Sequence, residues 1–514
     1  MKVTSFGHSS FLLEMLSPEG EPVRILGDPW LSDYVIGDLV GRFPRVRLKH
    51  QQLPPIDALY FTHSHTDHFD PYSILDLWQN LPQRPMILLP QSIQYLVPLL
   101  EEFLPGVSIT VLEDNLPIDV NGINVTALLN PERRPTNEDD VMILVVENDT
   151  EVFVCESDAL LPFYDPEARE AISAYLGEGS AETAVFLTTK NELAASMASL
   201  SAKSVEDRIA FVAGSEDRTL QEVTEIFTPM PDHESDLWMN STLVRLVGGQ
   251  GICFPQEVDP QWNRVLFPIR IADRVAMERE VVAQNEMAVQ IEEFLPGVTH
   301  ILENGQLVDR QPCRFIELLD REEDREFDGE IALFENFPEA PLREDVRNHD
   351  EQERRILDLL NQRFLPYLIG MREPPVQHLL SGNGGQYVVR VRYGVTEDFS
   401  ERDYGISFAD LKFSAQPLSG DPDEAYWAND LDDYFAGKAD DFSTFCRTAI
   451  PATTRRFWDA LGMPYLNNDL VERKQRLHFQ RARDGQSLAD YVLPFYEFYN
   501  STENEDYPVD AEEL

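Results

Sequence analysis

Cysteine is scarce: Cys155, Cys253, Cys313 and Cys446 are the only four in 514 residues, and no pair has C-x-x-C spacing. That excludes a disulfide framework or a zinc knuckle and leaves them as buried thiols. Basic residues are also few, 42 Lys and Arg against 91 Asp and Glu, for a formal charge of −49. Such a surface repels phosphate backbones and anionic lipid, so nucleic acid is excluded as a partner. A salt-adapted host and an acidic docking face both produce this balance. No apolar run reaches the length of about eighteen residues that spans a membrane, so no membrane partner is expected. The opening MKVTSFGHSSFLLEM lacks a cationic, apolar leader with a cleavage site, which predicts a cytoplasmic protein.

What is present is concentrated in Phe61 to Asp70, FTHSHTDHFD. His63, His65, Asp67 and His68 follow the apolar run Ile56 to Phe61, which reads as a buried strand. Imidazoles and a carboxylate crowded at a strand end repel one another or stay unsatisfied unless a cation joins them. The stretch therefore reads as a metal site, a better account than a polar loop that happens to be rich in His.

The rest of the chain is organised around that loop. Its length predicts more than one domain, since single cores rarely exceed about 250 to 300 residues, and an apolar fraction of 43% supplies ample core. Val3 to Met15 and Pro22 to Leu26 read as a hairpin, with Pro18 to Gly20 turning it. Pro71 to Gln79 reads as helix, Met86 to Pro90 as strand, Gln91 to Leu104 as helix and Val107 to Leu112 as strand, a βαβ-like alternation. The strands Ile123 to Leu129, Val141 to Val146 and Glu151 to Val154 follow. The heptapeptide EEFLPGV occurs at Glu101 to Val107 and again at Glu292 to Val298. A single recurrence reads as a reused helix-Pro-Gly-strand corner. Asp273 to Phe294 and Arg343 to Leu368 have helical spacing. Gln386 to Gly394 and Tyr404 to Phe413 read as strands, and Tyr426 to Phe435, Ala452 to Leu461 and Leu488 to Phe498 as helices.

The His-x-His-x-Asp-His pattern resembles the metallo-β-lactamase superfamily. That resemblance implies an α/β fold, an αββα sandwich of two sheets between helices, with His63 and His65 on one metal and Asp67 and His68 on a second. The resemblance covers about residues 3 to 160; the metal motifs stop near residue 265, and with the later helix and strand patterns the chain reads as three parts, residues 1–265 as the metallo-β-lactamase-fold catalytic domain, 266–380 as a helical extension and 381–514 as a C-terminal α+β domain. The Gly27-Asp28-Pro29-Trp30-Leu31 turn resembles an early superfamily element. Asp28 there either caps the turn or supports the metal loop from behind. His8, in the Gly7-His8-Ser9-Ser10 turn, either serves the hairpin or faces the metal pocket.

Hydrolases of the superfamily close the first metal's shell with a third His, yet no His occurs between His68 and His233. By the resemblance, Glu132 takes that place, 64 residues past His68, and Asp158 is the carboxylate shared by both ions. His233 closes the second shell, or Gln256 or Glu257 does. Exchanging an imidazole for a carboxylate hardens the shell and shifts preference from zinc toward iron or manganese. Glu132 and the flanking text, DPWL, DALYFTHSHTDHFDPYSI and DDVMILVVENDTEVFVCESDA, resemble two oxygenases of the superfamily. One is the diiron β-hydroxylase of chloramphenicol biosynthesis, the other the metallo-β-lactamase-type domain of CMP-N-acetylneuraminic acid hydroxylase.

Two metal ions, iron before zinc or manganese, are therefore expected. The reading is a dinuclear non-haem iron oxygenase, of hydroxylase or N-oxygenase type, acting on a small-molecule or carrier-bound substrate. The alternative is a zinc or manganese hydrolase of an ester, lactone or phosphodiester. A binding protein on a degenerate site fits poorly, because the core motif is intact. The chain has no Rieske Cys/His pattern, so an oxygenase here requires a separate electron-donor protein. The C-terminal domain either shapes or covers the pocket or holds a homo-oligomer together, and the sequence does not choose between them.

Overall fold

Alternation along the first strands builds a sandwich. Phe11, Leu13 and Met15 of the strand Ser10–Leu16 enter one core while Leu12 enters another, and Ala58 and Tyr60 part from Leu59 in the strand Ala58–Tyr60 in the same way. Side chains that alternate between two buried faces require a sheet covered on both sides. The computed structural model describes residues 1–35, 40–128, 140–158, 184–189, 244–249, 251–253, 270–284, 286, 288–321, 332–334, 344–370, 386–407, 412–418, 422–438, 457, 464–490 and 506–508.

Among the described residues the first sheet has eight strands, in the order Gln306–Pro312, Val298–Glu303, Lys2–Gly7, Ser10–Leu16, Pro22–Gly27, Ala58–Tyr60, Met86–Pro90 and Ile109–Leu112. Its last three pairings are parallel. The second has seven, in the order Gln290–Glu293, Val244–Val247, Ala184–Thr188, Val152–Ser157, Ile143–Glu147, Ile123–Leu128 and Ile118–Val120. Phe11, Ile25, Tyr60, Val125, Leu144 and Phe153 are among the side chains that fill the space between the sheets. The helices Pro71–Asn80, Val97–Phe103 and Pro464–Arg483 cover the other face of the first sheet, through Ile74, Leu77, Leu99 and Phe479. Parallel strands put their C-terminal ends on one edge, where ligand sites form in α/β sheets. Gly27 and Tyr60 lie side by side there, so Asp28 and the His-rich loop leave the sheet together.

A second core lies downstream. Gln386–Val395, Asp398–Ser407, Lys412–Gln416 and Glu424–Trp427 form a four-stranded sheet. Leu360, Phe364 and Tyr387 share that core with Leu431 of the helix Ala428–Phe435. The helix Pro464–Arg483 joins the two bodies, with Leu470 in this core and Phe479 in that of the first sheet.

Several elements differ from the sequence reading. Val3 to Met15 is broken at Gly7 and His8, both with positive φ (100° and 49°), so the first hairpin is Lys2–Gly7 with Ser10–Leu16. Asp273 to Phe294 is not one helix: Ile271–Gln284 is helical, whereas Gln290–Glu293 pairs in parallel with Val244–Val247. Pairing at a sheet edge outweighs local helical preference there. The two EEFLPGV copies accordingly differ. The first ends the helix Val97–Phe103 and the second ends the strand Gln290–Glu293 and opens Val298–Glu303, yet both turn on a left-handed glycine, Gly106 at φ 77° and Gly297 at φ 76°. Tyr404 to Phe413 divides between Asp398–Ser407 and Lys412–Gln416, and Tyr426 belongs to the strand Glu424–Trp427, with the helix starting at Ala428. Ala452 to Leu461 lies outside the described residues except for Phe457. Cys155, Cys253 and Cys313 are buried; Cys446 lies outside the described residues.

Candidate metal centre

The His-rich loop is held from three directions. At its start, Thr62 N–H and Oγ1–H both donate to the Asp28 carboxylate, each at 2.7 Å. In its middle, Ser64 donates to Asp140 Oδ2 from N (3.1 Å) and Oγ (2.6 Å), and Ser64 O accepts from Gln475 Nε2 at 3.1 Å. At its end, Asp70 caps the helix Pro71–Asn80 by accepting from Tyr72 N and Ser73 N, with Pro71 in the first turn. Ser32 and Ser73 hydroxyls also donate to Asp70. Burial raises the carboxyls of Asp70 and Asp140 above the usual range, and these donors offset part of that rise.

These anchors fix the imidazole tautomers. Thr62 Oγ1 spends its one proton on Asp28, so at 2.9 Å it can only accept from His63 Nδ1–H. Asp28 Oδ2 accepts from His68 Nδ1–H, also at 2.9 Å. A neutral ring in either place then carries its lone pair on Nε2, and among the described residues both Nε2 atoms are buried without a hydrogen-bond partner. They face carboxylate oxygens. His68 Nε2 lies 3.0 Å from Asp158 Oδ2 and 3.7 Å from Asp67 Oδ2, and His63 Nε2 lies 3.6 Å from Asp158 Oδ2.

Lone pairs aimed at carboxylates in a buried site repel unless a proton or a cation lies between them. Neighbouring donors on an octahedral ion at about 2.1 Å sit roughly 3 Å apart, and on a tetrahedral ion roughly 3.4 Å. The observed separations fall around those values, so the donor set fits a metal. The titration tendencies of the two rings differ. Burial, reinforced by His68 and His65, pushes His63 well below the usual imidazole range, which is the form that ligates. Burial also acts to lower His68, but Asp158, Asp67 and Asp28 outweigh it and hold that ring well above its ordinary value. The carboxylates that favour a proton there equally favour a dication. For Asp67, burial acts to raise the carboxyl, yet His68 and His8 bring it well below the ordinary range.

His63, His65, Asp67 and His68 thus come together, the His63 ring centroid 4.6 Å from that of His65 and 4.1 Å from that of His68. Asp158 reaches them from the end of Val152–Ser157 in the second sheet. Asp28 stands behind His68. Glu132, His233, Gln256 and Glu257 lie outside the described residues.

The sequence reading undervalued two side chains. His8 is buried in the site, with Nε2 2.9 Å from Asp67 Oδ2, and Asp140 buttresses Ser64 from below. Three residues here, His8 (φ 49°), Asp28 (φ 41°) and Ser157 (φ 51°), hold the left-handed backbone that non-glycine residues seldom adopt. Ser157 Oγ meets Thr62 Oγ1 at 3.0 Å, so all three touch the loop or its anchor. Strain gathered in one place is characteristic of functional sites.

A 71-residue stretch is 39% identical to a Mycolicibacterium smegmatis protein described as a Rieske 2Fe-2S iron-sulfur protein, covering 14% of this chain and 13% of that one. Among solved structures, the diiron beta-hydroxylase CmlA from Streptomyces venezuelae is 14% identical with a TM-score of 0.34, over 59% of this chain and 53% of its own. Zn2+-bound PqqB from Methylobacterium extorquens is 14% identical with a TM-score of 0.31, over 57% of this chain and 87% of its own. No described helix is long and apolar enough to cross a membrane. Residues 2–189 match the family model described as the beta-lactamase superfamily domain, and the two packed sheets to which they contribute have the metallo-β-lactamase fold.

Proposed function

We propose that this domain is a dinuclear metal enzyme whose ions are iron, an oxygenase that hydroxylates or N-oxygenates a small-molecule or carrier-bound substrate. The observation that carries the dinuclear reading is the pair of buried, unpartnered Nε2 atoms on His63 and His68, facing Asp158 and Asp67. In this reading His63, His65, Glu132 and Asp158 hold one ion. Asp67, His68 and Asp158 hold the other, with His233, or Gln256 or Glu257, completing it. The choice of iron rests on the Glu132 carboxylate in place of an imidazole, a harder donor that stabilises higher oxidation states. When bound, an iron pair supplies the one-electron redox steps of dioxygen chemistry.

The chain's own residues prepare the site. Asp28 and Thr62 keep both rings in the ligating tautomer, a role whose loss costs metal sites dearly. His63 and His68 lie on the buried side, while Asp67 and Asp158 each retain 17% exposure and His65 is half-buried, so the open side, where substrate enters, carries the two carboxylates and His65. Reducing equivalents come from a separate donor protein.

The test is iron and zinc content by mass spectrometry, with oxygen uptake under a chemical reductant, in wild type and Glu132→His. Iron and reductant-dependent uptake in the wild type, with zinc and no uptake in the variant, support the oxygenase. A wild type that holds only zinc after anaerobic reconstitution with ferrous iron, and consumes no oxygen, leaves the zinc or manganese hydrolase in its place.

A further inference from the structure

The His8 ring is clamped in the site. It is buried at the turn between the first two strands, and its Nδ1 lies 3.1 Å from Gly249 O. A carbonyl only accepts, so Nδ1 carries a proton, and Nε2 faces a carboxylate that also only accepts, so a second proton or a cation must lie between them. Trp30 packs edge-on against the ring, centroids 5.2 Å apart at 88°. Gly251 packs against the His8 backbone: a Cβ there would stand 2.4 Å from His8 N, so only glycine fits. Thus held, Nε2 faces Asp67 Oδ2 at 2.9 Å.

The arrangement repeats what His63 and His68 show: one ring nitrogen bound to a protein acceptor, the other aimed at a carboxylate. A separation of 2.9 Å suits a hydrogen bond when the ring is protonated and equally suits neighbouring donors on one octahedral ion, roughly 3 Å. Donor atoms of His8, Asp67 and His68 all lie within 4.8 Å of one another, as do those of His63, His68 and Asp158. Asp67 Oδ2 stands between His8 Nε2 at 2.9 Å and His68 Nε2 at 3.7 Å. We propose that His8 Nε2 is a ligand of the second metal ion, completing with Asp67, His68 and Asp158 a shell of two imidazoles and two carboxylates. This rests on the dinuclear reading above. It gives the second ion four protein donors before any residue beyond Asp158 contributes, and makes its shell the counterpart of His63, His65, Glu132 and Asp158 on the first.

The experiment uses the full chain stripped of metal and titrated anaerobically with Mn2+, free ion being followed by electron paramagnetic resonance. The variant is His8→Asn, since asparagine tolerates the left-handed backbone but is too short to reach Asp67. The wild type is expected to bind two ions. His8→Asn should keep one and bind the second at least tenfold more weakly. Two ions bound with wild-type affinity in His8→Asn overturn the proposal and leave the dinuclear reading intact, whereas fewer than two in the wild type overturn that reading itself. Manganese-edge anomalous diffraction from wild-type crystals gives a check independent of how the variant folds. A manganese peak within coordination distance of His8 Nε2 supports the assignment; two peaks with neither on His8 refute it.

Discussion

Replacing Asp28 by Asn changes one atom and should disable the metal loop. The carboxylate accepts three short hydrogen bonds, from Thr62 N and Oγ1 at 2.7 Å and from His68 Nδ1 at 2.9 Å, and is fully buried. An asparagine keeps one acceptor oxygen, which Thr62 N can hold, and presents an NH2 to the other two donors. His68 then faces a donor with its Nδ1–H, and relief comes by moving the proton to Nε2, which removes the lone pair aimed at the metal. Thr62 Oγ1 must turn its proton elsewhere, and His63 Nδ1 stands 2.9 Å away, so the disturbance reaches the other ring. Loss of a buried group that orients a metal ligand costs about 10- to 100-fold in affinity, or roughly 1.4 to 2.8 kcal/mol. Losing a nearby negative charge weakens dication binding further, in the same direction. Competition with a chromophoric chelator at fixed pH, for wild type and Asp28→Asn, measures it, with the thermal midpoint of the metal-free proteins as control. An affinity within twofold of wild type, in a variant that remains folded, would refute the tautomer argument.

Two further outcomes follow from the helix Pro464–Arg483 and from a buried histidine. Gln475→Leu strips Ser64 O of its buried donor at 3.1 Å, which should cost about 1 to 3 kcal/mol and weaken metal binding too; unchanged chelator competition would show that the helix does not position the loop. Burial pushes the His300 imidazole down to about 4, against about 6.5 when unfolded. The unfolded chain therefore binds the extra proton first, so His300 favours the folded state fully above pH 6.5 and ceases to do so as pH falls toward 4. That removes about 2 kcal/mol by pH 5 and about 3 kcal/mol in full. Urea melts of wild type and His300→Gln from pH 7.5 to 4.5 should diverge in slope, and parallel curves would contradict the buried neutral ring.

The parts legible in the sequence are those whose chemistry is local. Four ligand-type residues in six, after a short apolar run, announce both a strand end and a metal, and Asp28 was singled out because a Gly-Asp-Pro turn follows a strand. What sequence left open depends on distant partners. The role of His8 is set by Gly249 and Asp67, 241 and 59 residues away, and its left-handed backbone has no signature in the string. Asp140 is one of several acids in an acidic chain until Ser64 is beside it. Phe479 sits in a strongly charged helix, and only its contacts with Phe103 (ring centroids 5.1 Å apart) and Phe69 (6.2 Å) explain why it is buried. The strand Gln290–Glu293 reads as helix locally, and its parallel neighbour Val244–Val247 decides otherwise.

The central claim is that one carboxylate, Asp158, joins two ions between the sheets. It is tested most directly by counting metal in Asp158→Ala beside wild type, after identical anaerobic reconstitution with ferrous iron and removal of unbound ion. Removing the shared carboxylate leaves two cations facing each other with no charge between them. The account predicts two irons per wild-type chain and at most one in the variant, with the C-terminal core still folded by its near-ultraviolet signature. Two irons retained in Asp158→Ala would contradict it.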